Sequence, residues 1–145
     1  MKTILVPIDS NKEGDLVASK AIEIASAFDA TVHLVHVTNV ENSTLNDDSE
    51  LDYITTEHLS SFEKEMDTLN SFKSRFVDAG LLCETHLMIG KPHEKILHLA
   101  EKLHVDVIIL GLINHSALYK VFVGSVSNEV IKGTKTPVLL VPPKK

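Results

Sequence analysis

Five short runs rich in Ile, Val and Leu, at residues 3–8, 31–37, 81–88, 106–110 and 137–141, alternate along the chain with segments of helical period. The first, fourth and fifth runs are nearly continuous in apolar residues, as strands covered on both faces are. Between them, Val17, Ala18, Ala21, Ile24, Ala25 and Phe28 recur at three- and four-residue spacing, behind a candidate capping box of Ser10 and Glu13. A second stripe of Leu59, Phe62, Met66, Leu69, Phe72 and Phe76 stops at Gly80. Pro92 opens a third helical segment carrying Ile96, Leu99, Ala100 and Leu103, and residues 125–132 make a short fourth closed by Gly133. Strand and helix in strict alternation predict an α/β fold: one open parallel five-stranded sheet with right-handed crossovers and helices on both faces.

The length of 145 residues suits a single domain over the whole chain, and an apolar share of 43% can build its core unaided. Cys83 is the one cysteine, which excludes an internal disulfide and points to a reducing, cytoplasmic setting. The first residues lack the apolar segment and cleavage site of a signal peptide, and no apolar run is long enough to span a bilayer. A net charge of −6, with Lys144-Lys145 as the only basic pair, argues against nucleic acid as a partner. There is no Trp, and so little aromatic surface on which bases could stack.

Ligands of an open parallel sheet bind at the carboxyl ends of strands whose connections leave on opposite faces. The first and fourth strands form that pair. The first ends in Val6-Pro7-Ile8-Asp9-Ser10; the fourth ends in Ile109-Leu110-Gly111 and leads to Gly124-Ser125-Val126-Ser127 at a helix start. A glycine followed by hydroxyls at a helix N-terminus offers backbone N–H groups and a positive dipole end to a phosphate. The same residues would equally serve to start and cap the helix. Asp9 carries the same two readings, as a ribose acceptor or a helix cap. Residues 38–49, polar and without period, follow the second strand on this side and read as a lid or as a plain loop.

Taken in order, Val6-Pro7-Ile8-Asp9, Leu34-Val35-His36-Val37, Ile89-Gly90-Lys91-Pro92, the stretch from Gly111 to Ser127, and Pro137-Val138-Leu139-Leu140-Val141 closely resemble the universal stress protein family along the whole chain. That resemblance implies a Rossmann-like sheet of strand order 3-2-1-4-5 and a homodimer formed through the last strand, at Val138, Leu139, Leu140 and Val141. It further implies a site for ATP or AMP, with Mg as a companion ion, built on Gly, two residues, Gly, nine residues, Gly, then Ser or Thr. By position, Gly111, Gly124 and Ser125 match this motif, and Ser127 supplies a further hydroxyl near the phosphates. Pro7, Met88 and Val126 complete the implied site, with Ile8 and Val37 flanking adenine, Asp9 at the ribose and Gly90 admitting a close backbone approach.

The match is imperfect where the motif touches phosphate. Asn114 stands at the second glycine, Leu112 is bulky where small or polar residues are common, and His115 replaces a frequent Arg or Lys. Asn tolerates left-handed backbone better than other non-glycine residues, but its side chain fills space that glycine leaves open. Two functions follow: a stress-response protein gated by an adenine nucleotide, or a dimeric interaction module whose nucleotide site has degenerated at Asn114.

Other chemistry finds little footing. His93 and His98 are five residues apart, about 140° around a helix, and so do not share an ion as an i, i+4 pair does. His33 and His36 face opposite sides of a strand, and no ligand cluster has metal-site spacing, so no structural metal is expected. There is no nucleophile elbow, Cys83 reads as a small buried hydrophobe, and no general base stands out beside Asp9; turnover is expected to be slow or absent.

Overall fold

The structure, a computed structural model, describes residues 1–9, 12–38, 56–115 and 120–143. The candidate cap Ser10, most of the polar stretch after the second strand, and Lys144-Lys145 fall outside them. In chain order the elements are β1 (Thr3–Pro7), α1 (Lys12–Phe28), β2 (Thr31–Thr38), α2 (Thr56–Asp78), β3 (Cys83–Ile89), α3 (Pro92–Lys102), β4 (Val107–Gly111), β5 (Ile113–His115), β6 (Lys120–Phe122), α4 (Ser125–Gly133) and β7 (Val138–Val141). Gly133 is the last residue of α4 rather than the residue that follows it.

The main sheet is parallel, in the order β3-β2-β1-β4-β7. This is the 3-2-1-4-5 arrangement of an open doubly wound sheet. The two faces carry separate cores. Ala18, Ala21 and Ala25 of α1 and Leu69, Phe72 and Phe76 of α2 pack with Ile4, Val6, Val32 and Leu34. Ile96, Leu99 and Ala100 of α3 and Val130 of α4 pack on the other face with Leu5, Val35, Ile108 and Leu110. Alternate residues of β1, β2 and β4 therefore enter different cores, which is why β1 and β4 read as nearly unbroken apolar runs.

The sequence pattern did not show the β5–β6 pair. These three-residue strands run antiparallel, with Ile113 opposite Phe122, Asn114 opposite Val121 and His115 opposite Lys120. They leave the C-terminal end of β4 and return the chain to the start of α4.

Asp106, just before β4, ties down the start of β1. Its Oδ2 accepts the backbone N–H groups of Lys2 at 2.7 Å and Thr3 at 2.9 Å. These bonds to the charged form hold the carboxyl below its ordinary value of 3.8. A depressed folded-state value means stability that is present above pH 3.8 and is lost as pH falls through the folded-state value. Asp106→Asn should lose that part of the acid limb when denaturant midpoints are measured against pH; an unchanged profile would show that the clamp contributes nothing.

Candidate functional site

The connection from β1 through α1 crosses one face of the sheet, while that from β4 through α4 crosses the other. The crevice between the carboxyl ends of β1 and β4 opens at this divergence. A cleft of about 340 Å³ lies there. Pro7, Ile8 and Asp9 form its β1 side, Val35, His36 and Val37 its β2 side, and Leu110, Gly111 and Leu112 its β4 side. Gly124, Ser125, Val126 and Ser127 supply the start of α4, and Gly14, Val17, Pro92 and Ile96 close the walls from α1 and α3. The lining is mostly apolar, with Asp9 and His36 on the β1 and β2 sides and Ser125 and Ser127 at α4 as its polar side chains, a composition usual for a small-molecule site.

The α4 side is the N-terminus of that helix. Gly124 is its N-cap, with an extended backbone at φ −63° and ψ 163°, and no side chain caps the helix. Its carbonyl accepts from Asn128 N–H at 2.8 Å, the first bond of the helix. The N–H groups of Ser125, Val126 and Ser127 precede that bond and have no partner within the helix. Gly124 and Ser125 thus start and cap the helix, and the same helix end, with its dipole and N–H groups at a cleft, also has the elements of an anion site.

Sequence reasoning missed several lining residues. Gly14 is the most informative. A Cβ at this position would lie 2.5 Å from the Asp9 carbonyl oxygen and 3.3 Å from Phe72 Cζ, so α1 meets the end of β1 only because residue 14 has no side chain. The signal was a lone glycine inside a helical pattern, which marks a close approach as often as a break. His36 is held by its neighbours: Nδ1–H donates to the Ile8 carbonyl at 2.9 Å, and Nε2 lies 3.4 Å from Glu65 Oε1. Glu65 Oε1 also accepts from the Thr38 hydroxyl at 2.6 Å. These three residues link β1, β2 and α2 behind the cleft, beside a smaller cavity of about 140 Å³.

Other residues named from the sequence lie elsewhere. Met88 packs among the α3-side core residues, outside the cleft lining. Gly90 also lies outside it; its φ of +144° is a backbone glycine adopts readily, and its N–H donates to the Thr38 carbonyl at 3.0 Å. Asn114 is paired with Val121 in the β5–β6 ladder, an extended setting that does not call on its tolerance of left-handed backbone, and His115 pairs with Lys120. The Asn114 and His115 side chains are outside the described positions. Cys83 is buried, and burial pushes its thiol up to about 11, so it is not a thiolate near neutral pH.

This fold and cleft can be set beside known proteins. The model of the universal stress protein family matches residues 1–142. The chain belongs to the universal stress protein family. Universal stress protein MJ0531 of Methanocaldococcus jannaschii is 32% identical over 146 residues, covering 99% of this chain and 84% of the relative. The solved structure of protein MJ0577, from the same organism, superposes with a TM-score of 0.81 at 26% identity, over 99% of this chain and 97% of that one. The universal stress protein of Archaeoglobus fulgidus in complex with dAMP shares the fold at a TM-score of 0.69 and 22% identity, covering 97% of each chain. A universal stress protein in complex with cAMP does so at 0.71 and 21%, over 97% of this chain and 96% of that one. No helix among the described residues is long and apolar enough to cross a membrane.

Proposed function

We propose that this chain is a cytoplasmic stress-response protein whose cleft binds an adenine nucleotide, ATP or AMP, and which acts as a homodimer. The observation that carries this reading is the convergence of Gly111, Gly124, Ser125 and Ser127 with Ile8, Asp9 and Val37 on one cleft of about 340 Å³ at the N-terminus of α4. In this reading the base lies between Ile8 and Val37, the ribose meets Asp9 and the phosphates meet the α4 N–H groups. Magnesium would accompany ATP. The dAMP and cAMP complexes of the two related folds support an adenine ligand with a single phosphate group. Asn114 bears on the outer phosphates, so AMP depends on it less than ATP does.

The test is nucleotide content and thermal stability. Purified protein, denatured and run on ion exchange, should release an adenine nucleotide or, stripped of it, should melt higher when ATP or AMP is added. A ligand that binds only the folded state adds RT ln(1 + [L]/Kd), about 2.7 kcal/mol at 100 times Kd. No shift at millimolar nucleotide, with and without magnesium, would favour the second reading, a dimeric module without a nucleotide. That alternative draws on Asn114, which replaces the motif glycine and is held in a strand pair.

The dimer reading rests on β7. It is an outer strand of the sheet, bonded on one side to β4, and its apolar sequence leaves Leu140 37% exposed. An apolar edge of this kind pairs readily with another chain. Leu140→Asp is expected to bring the mass measured by light scattering at tens of micromolar down to that of one chain, 16.0 kDa, with helical circular dichroism retained. A wild-type mass of one chain would overturn the assignment.

A further inference from the structure

A second group of chemically capable side chains lies away from the cleft, on the edge strand β3 and its neighbour β2. The parallel register sets His33 directly beside Glu84 and places His86 beside Val35. Strand alternation puts His33, Glu84 and His86 on the same face, the one covered by α3. His33 Nδ1 lies 3.0 Å from His86 Nε2 and 3.4 Å from Glu84 Oε2. One ligand atom from each residue falls within 4.8 Å of the others.

These separations are those of a coordination shell. Zinc holds imidazole nitrogen and carboxylate oxygen at about 2.0–2.1 Å, so ligands at two corners of its tetrahedron stand roughly 3.3 Å apart. The His33–His86 and His33–Glu84 separations lie within a few tenths of an ångström of that edge. The depth gradient also fits. His33 is 7% exposed, His86 is half-buried and Glu84 is exposed. A buried imidazole would anchor the ion, and the exposed carboxylate would close over it from solvent, leaving a fourth position for water.

We propose that His33, Glu84 and His86 bind a divalent transition-metal ion of the zinc class. Two neutral imidazoles and one carboxylate form a borderline donor set that suits zinc, cobalt or nickel and is poor for calcium or magnesium, which take oxygen ligands. Burial disfavours the charged form of both imidazoles and lowers them below their ordinary value, and a neutral imidazole keeps one unprotonated nitrogen with which to ligate. Lys102, at the end of α3, opposes a cation at His86, and Glu84 offsets it. The competing account is a plain hydrogen bond between the two imidazoles with the Glu84 carboxylate beside His33, which needs no ion. This site is separate from the cleft and does not depend on nucleotide binding.

The experiment uses the full chain freed of metal by chelation. Cobalt titration followed by visible absorption, and zinc competition against a chromogenic chelator, should give one ion per chain with a tetrahedral cobalt spectrum. Zinc should also raise the melting temperature. Glu84→Gln and His86→Gln should each weaken binding by roughly tenfold or more, since each removes one ligand. His93→Gln, at the opposite end of α3, should change nothing. Because His33 is buried, the exposed Glu84→Gln is the decisive variant, with circular dichroism verifying its fold. An octahedral cobalt spectrum, affinity unchanged in Glu84→Gln and His86→Gln, or the absence of saturable binding would each overturn the site in favour of the hydrogen-bonded pair.

Discussion

Gly124→Val is expected to erase the rise in melting temperature that ATP or AMP confers, while leaving the fold in place. The N-cap backbone at φ −63° and ψ 163° lies in the β region open to a β-branched residue, so the substitution forces no distortion there. Losing a favourable N-cap costs the helix about 1 kcal/mol, which a domain of this size tolerates. Gly124 nevertheless lines the cleft beside the α4 N–H groups, and a branched side chain brings bulk to the place where a phosphate would sit. The expected loss is large. At 100 times Kd the ligand contributes about 2.7 kcal/mol, and at roughly 2–4 °C per kcal/mol the wild-type shift is about 5–11 °C. Differential scanning fluorimetry on both proteins reads it directly. A shift retained in full would show that the α4 N-terminus does not hold the phosphate.

The second large effect turns on a conflict of sign. Helix propensity alone predicts that Gly14→Ala stabilises α1 by about 1 kcal/mol. Packing predicts the reverse, because the new Cβ would lie 2.5 Å from the Asp9 carbonyl oxygen, a backbone atom that cannot swing aside. Helix α1 must then move away from the end of β1, at a cost typical of overpacking, about 1–3 kcal/mol. Sterics should win, so urea unfolding should show a net loss of up to about 2 kcal/mol. Asp9 and Gly14 both line the cleft, and nucleotide affinity should fall with it. A variant more stable than wild type would mean that α1 and β1 are not locked together at this contact.

The residues that were legible in the sequence are those whose signal is local. Gly111, Gly124, Ser125 and Ser127 occupy recognisable positions after a strand and at a helix start, and all four line the cleft. Pro92 marked the beginning of α3 and Gly80, at φ +83°, the stop after α2. By contrast, Met88 and Gly90 were carried over by position alone, and the fold sets them outside the lining. His36 carried no local signal of its role, because its partners are Ile8 on β1 and Glu65 on α2.

The sequence by itself determined the order and type of the main elements, because a period of two or 3.6 residues is a property of consecutive side chains. It also determined that the sheet is covered on both faces, since unbroken apolar runs have no solvent side to offer. Only the tertiary structure decided what meets across the chain. It placed Gly14 against Asp9, closed β5 on β6, and brought His33 within 3.0 Å of His86, fifty-three positions away. No spacing rule along the chain encodes that approach. It follows from the parallel register of β2 on β3, which is set by two cores packing on opposite faces of one sheet.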